Sequence, residues 1–87
     1  MKFNSKSIEM IAWFDYKGIV HPLRFKVIKD NNEEIVLNII SIKNRYRENL
    51  GGNPMDVFIC DSHINNKVLE IKIKYEIMTN KWIVFTK

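Results

Sequence analysis

The stretch "NNEEIVLNIISIKNRYRENLGG", residues 31–52, decides the fold of this 87-residue chain. It reads two ways. As a helix it opens on Asn31 and Glu34 at capping-box spacing, runs acids first and bases last, and ends on glycine. Ile35, Ile39, Ile42 and Tyr46 would then share one face. As a strand it holds five Ile or Val among the eight residues from Ile35 to Ile42. Branched side chains are stiff at χ1 and suit a pleated surface better than a solvated helix. The strand reading is favoured for residues 34–43, and residues 44–53 then read as an irregular loop. The alternative is an α+β fold with a helix at about 31–50.

The rest of the chain argues for strands. Ile and Val together number 20 and Ala and Leu only 5, a composition that opposes helix. "IEMIAWF" (8–14) and "PLRFKVIK" (22–29) flank "DYKG", where Asp15 can accept turn hydrogen bonds and Gly18 can take positive φ. In the second run Leu23, Phe25 and Val27 alternate with Arg24, Lys26 and Ile28. "DNNE" (30–33) and "INNK" (64–67) read as turns, and "MDVFICD" (55–61) as a strand apolar on both faces. In "VLEIKIKYEIM" (68–78), Leu69, Ile71, Ile73, Tyr75 and Ile77 face one way, and Glu70, Lys72, Lys74 and Glu76 the other. "TNK" turns into "WIVFT" (82–86), where either Trp82 and Val84 or Ile83 and Phe85 face the core. A one-residue slip separates the two. The expectation is a single all-β domain over 1–87, a six-stranded antiparallel meander curled into a small barrel or half-open sheet.

Composition bounds the function. A chain of this length supports one modest core. Its one cysteine, Cys60, allows no intrachain disulfide and suits a reducing compartment, so the expected location is cytoplasmic. No run approaches the roughly 18 apolar residues of a membrane helix, and no membrane partner is expected. The net charge of +4 permits an anionic partner. It also reflects a bias toward Ile, Lys and Asn, at 14, 11 and 10 copies, all types with AT-rich codons.

At this point the chain resembles a set of small single-domain proteins of clostridia and related Firmicutes. The similarity is carried by "AWFDYKG" (12–18), "HPLRFKV" (21–27), "GGNPMDVFIC" (51–60) and "EIKIKYEIMTNKW" (70–82). It spans nearly the whole chain and rests on turns and core positions. Gly51-Gly52 departs from the Ala-Gly pattern of that set. The resemblance implies strand for residues 34–43 and implies no activity.

Catalytic signals are weak. Cys60 and His63 in "CDSH" are three apart, but zinc wants three or four ligands and no second Cys/His cluster exists. The ten acids are scattered, and "GGNP" lacks the Gly-Lys-Ser/Thr of a phosphate loop. No enzyme activity, metal or cofactor is expected. Two binding readings remain. The first is a protein-interaction or self-associating module, with Trp13, Trp82 and Phe85 as candidate interface residues on apolar sheet surface. The second is a nucleic-acid-binding small barrel. Its candidate nucleic-acid or anion contacts are Arg45, Tyr46 and Arg47 on the 44–53 loop, extended by Arg24, Lys26, Lys72 and Lys74.

Overall fold

The computed structural model describes residues 5–85. Six strands follow one another: β1 Ser5–Phe14, β2 Val20–Ile28, β3 Glu34–Leu50, β4 Asn53–Ile64, β5 Lys67–Glu76 and β6 Lys81–Phe85. All neighbours are antiparallel and β6 returns to β1, so the meander closes into a barrel. The described residues contain no helix, and so none long and apolar enough to cross a membrane. The all-β barrel is therefore the fold, and the helix at 31–50 is not formed.

The stretch from 44 to 53 is corrected. It is not a loop: β3 runs on for 17 residues and turns directly into β4, with Leu50 opposite Asn53. Gly51 and Gly52 take φ of 60° and 79°, the two positive values that a two-residue type I′ hairpin requires. Asn65 and Asn66 do the same between β4 and β5, at 51° and 63°. The β1–β2 turn follows the sequence expectation. Asp15 Oδ1 accepts from the Lys17 and Ile19 amides at 2.9 and 3.0 Å, and Gly18 has φ 81°.

Long strands let the barrel form from two sheets that share β1 and β3. The short sheet joins the second half of β1, β2 and the first half of β3. The long sheet joins the second half of β3, β4, β5, β6 and the first half of β1. Bulges make the bends. β3 slips register between Ile39 and Ser41 and again between Ile42 and Asn44. β2 carries an extra residue opposite Ile11/Ala12, because Ile11 meets Arg24 and Ala12 meets Pro22. Leu23 is that extra residue. It is half exposed, and buried Pro22 takes the inward place expected for it. Two smaller boundaries also move: Ile77 lies beyond β5, and β4 runs past Asp61 through His63 to Ile64.

The barrel interior holds Val20, Phe25, Phe58, Cys60, Ile71 and Ile73, together with Trp82 and Val84. The register of β6 is thereby decided: Trp82 and Val84 point inward, and Ile83 and Phe85 outward. Trp82 lies between Phe58 and Tyr75, with ring centroids 5.9 and 4.6 Å away. Ser62 is the one buried polar core residue described, and its hydroxyl donates to the Asn38 carbonyl at 2.7 Å. That bond ties β4 to β3 where the β3 register slips.

Candidate functional site

Strand parity decides where each candidate side chain goes. Successive residues of a strand face opposite sides, so extending β3 through Leu50 splits Arg45-Tyr46-Arg47. Arg45 lies opposite Phe58 and Arg47 opposite Asp56, on the barrel side, while Tyr46 points out opposite Val57. The basic-aromatic loop of the sequence reading is a strand whose two arginines leave one face and whose tyrosine leaves the other, although all three border one cleft.

Arg45 does structural work. Its guanidinium lies 4.9 Å from the Phe58 ring centroid and donates to the Val20 carbonyl at 2.7 Å. The β2–β3 ladder ends at Arg24 opposite Asn38. Bulged Leu23 and Pro22, which has no amide hydrogen, stop it there. Beyond that point the start of β2 and the second half of β3 diverge into a seam, and Arg45 bridges it. Arg47 donates from Nε to Asp56 at 2.8 Å. Together Gly18–Val20, Arg45–Arg47 and Asp56–Phe58 line a cleft of about 480 Å³.

Tyr46 instead meets Lys72 and Lys74. These three, with Ile59 and Phe85, line a groove of about 610 Å³ on the outer face of the long sheet. Lys74 pairs with Glu48 at 2.8 Å and lies 5.0 Å from the Phe85 ring centroid. Lys43 meets Glu70 at 2.8 Å and Asp61 at 3.7 Å, and these carboxylates hold its pKa above the ordinary lysine value. Lys43 and Lys74 are thus paired with Asp61, Glu70 and Glu48, and with Lys72 these groups bring three cations and three carboxylates to the wall. Arg24 and Lys26 lie on β2, three strands from β5 either way round the ring, and so on the opposite wall. Lys26 is engaged by Glu34 at 3.4 Å and Glu9 at 3.8 Å. The seven candidate contacts therefore fall on three separate surfaces. Lys2 and Lys87 lie outside the described residues, so two of the cations behind the chain's net charge of +4 are not placed on any of these surfaces.

The interface candidates also separate. Trp82 is corrected from interface to core, at 9% exposure. Phe85 is half-buried on the long sheet's outer face. Trp13 is outward and 58% exposed, stacked on His21 with ring centroids 4.9 Å apart. Around it the short sheet presents Ile11, Leu23, Val36 and Ile40, each about half exposed. A groove of about 390 Å³ joins Ile11 to Val36 between Arg24, Lys26 and Glu9. The sequence reading missed these four. Ile11 and Val36 were readable as outward once β1 and β3 were phased on Met10 and Leu37, whereas Leu23 and Ile40 depend on bulges.

Cys60 and His63, three apart in one strand, face opposite sides, so the spacing that suggested a pair divides it. Cys60 is buried, and burial, with the Asp61 charge second, pushes its thiol up to about 11. It is a poor nucleophile. His21 instead meets Asp15, Nε2 to Oδ2 at 3.0 Å. The His21 hydrogen bond, then the Ile19 amide, hold the Asp15 carboxyl below its ordinary range. Among the described residues no three His, Cys, Asp or Glu side chains converge as metal ligands. Comparison with family models, with curated proteins and with solved structures found no match to this chain.

Proposed function

We propose that this chain is a non-enzymatic interaction module whose partner is a second copy of itself, docked through the outer face of the short sheet. One observation carries the reading. Ile11, Trp13, Leu23, Val36 and Ile40 lie on that wall, each with between 49 and 58% of its surface exposed. On the middle strand Arg24 and Lys26 stand between the β1 and β3 members of this set, and exposed apolar groups gathered on one wall in this number support an interaction site. The charges set among these residues support a symmetric arrangement. Arg24 has no acidic partner among the described ion pairs, while the Glu9 and Glu34 side chains remain 71 and 58% exposed. A two-fold axis through the patch sets the Arg24 of each copy against the acids of the other, which is the self-complementarity an isologous interface needs. About 800 Å² per partner is the usual requirement, roughly one-eighth of the 6167 Å² surface described. A cytoplasmic setting accords with an unpaired cysteine.

Nucleic-acid binding has less support. The candidate basic residues are dispersed over three surfaces, and Lys26, Arg47 and Lys74 among them are paired with acids, whereas duplex and single-strand binders concentrate several unneutralised cations on one path. Sedimentation velocity over a concentration series tests the proposal. The native chain should show a concentration-dependent dimer, and Trp13→Ser with Ile11→Asp should be monomeric with an unchanged circular dichroism spectrum. A native chain that stays monomeric at several hundred micromolar removes the reading.

A further inference from the structure

The seam between the start of β2 and the second half of β3 has the features of a strand-binding slot. β3 bonds β4 along one edge from Ile39 to Leu50, but its ladder with β2 ends at Asn38. Its other edge therefore offers backbone donors and acceptors along the cleft that Gly18–Val20 and Arg45–Arg47 line. An exposed edge of this length invites another strand. We infer that the seam takes an extended, acidic segment of a partner protein, which adds a strand to β3 and sets carboxylates on Arg45 and Arg47.

Charge selects the occupant. Arg45 and Arg47 are two apart on the same side of β3, which matches two acidic side chains two apart on an extended peptide. A second copy of β3 does not fit. In an antiparallel two-fold pairing centred on Tyr46, Arg45 faces Arg47. Centred on Arg45, Arg47 or Glu48, each of those residues faces itself. Centred on Asn44, Lys43 faces Arg45. Like charges across a strand pair oppose pairing, so the registers centred on residues 44–48 are disfavoured for its own copy and open to an acid. This surface shares no residue with the apolar patch on the short sheet, and the inference stands apart from dimerisation.

The present contacts already rehearse the bound state. Phe58 fixes the plane of the Arg45 guanidinium, and the Val20 carbonyl takes one of its hydrogens. Arg47 is held through Nε by Asp56, which leaves the N–H groups of its terminal nitrogens to donate elsewhere. When a strand enters, a carboxylate replaces the Val20 carbonyl as the Arg45 acceptor, and the carbonyl accepts a backbone N–H of the incoming strand. Every polar group keeps a partner, and a neutral acceptor is exchanged for a charged one, which bonds a guanidinium more strongly. Two fixed guanidinium groups lose little freedom on binding.

The test uses the full chain and a fluorescein-labelled probe, Thr-Val-Glu-Val-Glu-Thr, with its two-Gln analogue as control. Fluorescence anisotropy at low salt should show saturable binding of the Glu peptide. The Gln peptide should bind at least about tenfold more weakly, the scale of a charged hydrogen bond. Arg47→Gln should abolish the preference for Glu while retaining the native melting curve. Arg45→Lys is the second variant, since it keeps charge but loses the planar fork, and it should weaken binding at unchanged fold. Proline in place of the central Val removes a backbone donor and should reduce binding. NMR amide shifts should fall on residues 18–20 and 44–49. Equal binding of the Glu and Gln peptides, or undiminished binding of the Pro peptide, overturns the inference. So does displacement by glutarate at concentrations comparable to the peptide, because the ligand would then be a small carboxylate. No binding at millimolar peptide overturns it outright.

Discussion

The inward register of β6 can be tested with the two tryptophans, because the fold assigns them opposite fates. Trp82 is at the end of the core between Phe58 and Tyr75, whereas Trp13 is outside against His21. Trp82→Ala deletes a buried indole, a change that costs about 3–5 kcal/mol. A chain of this length has a total stability of roughly 4–13 kcal/mol. The variant should lose a large share of that, with Tm falling by roughly 12–40 °C. With a urea slope of about 1–1.5 kcal/mol per molar, the midpoint should fall by roughly 2–5 M. Trp13→Ala removes a half-exposed ring and one stacked partner, and the monomer should lose less than about 1 kcal/mol. Intrinsic fluorescence supplies the assay without further labels. Trp13→Phe leaves only Trp82, whose emission should be blue-shifted and poorly quenched by iodide. Trp82→Phe leaves only Trp13, which should emit as a solvated indole. An exposed signal from Trp82, or equal destabilisation by the two alanine variants, would mean that Ile83 and Phe85 face the core and that the register reasoning is wrong.

Acid should loosen two turns first. Asp15 is held below its ordinary 3.8 by the His21 hydrogen bond and then the Ile19 amide, and Glu76 below 4.5 by Thr79 and then Asn53. A depressed folded pKa gives stability that is present above the unfolded value and lost as pH falls through the folded one. Urea midpoints should therefore decline below about pH 4.5, and Asp15→Asn should flatten the lower part of that decline. Cys60, with its thiol at about 11, should resist Ellman's reagent at pH 8 in the folded chain and react promptly in denaturant. Gly52→Val forces a branched side chain to φ near 79° and should cost about 1–2 kcal/mol by urea melts, whereas Gly51→Asn should be nearly neutral because asparagine tolerates that conformation.

Element type was legible because the signals agreed. Branched residues, period-two alternation and Asn- or Gly-bearing turns pointed to five of the six strands without a rival, the density of Ile and Val outweighed the helix signals at 31–50, and the order of the strands fixed a meander. The end of β3 was not legible, because Gly51-Gly52 followed by Asn53-Pro54 carries the same residue types as a loop. The deciding fact is that two consecutive positive-φ residues make a hairpin tight enough for Leu50 to pair with Asn53. Pro54, at the second position of β4, costs less there than in a strand's middle. The bulges were equally hidden. A single extra residue at Leu23, or a slip at Ile40 or Lys43, leaves the local alternation almost unchanged while rotating everything after it.

That rotation explains why the candidate sites regrouped. Proximity in sequence put Arg45, Tyr46 and Arg47 together, but on a strand neighbours are the residues least able to act on one ligand, and residues two apart the most able. The same parity that separates Tyr46 from its flanking arginines brings Arg45 and Arg47 to one side of one edge, at the spacing of alternate side chains on a second strand. It also sends Tyr46 to a wall where Glu48, Asp61 and Glu70 offset the lysines. Lys26, Lys43 and Lys74 are thus paired with acids on the barrel's walls, and two of the three guanidinium groups lie where the barrel's ladder is broken. A six-stranded ring built on one 17-residue strand cannot keep both edges of that strand paired along its whole length, since β2 has only nine residues and is stopped by Pro22. The opening follows from the lengths of the strands, and Arg45 follows from the opening: a long cationic side chain can span the gap that backbone hydrogen bonding cannot.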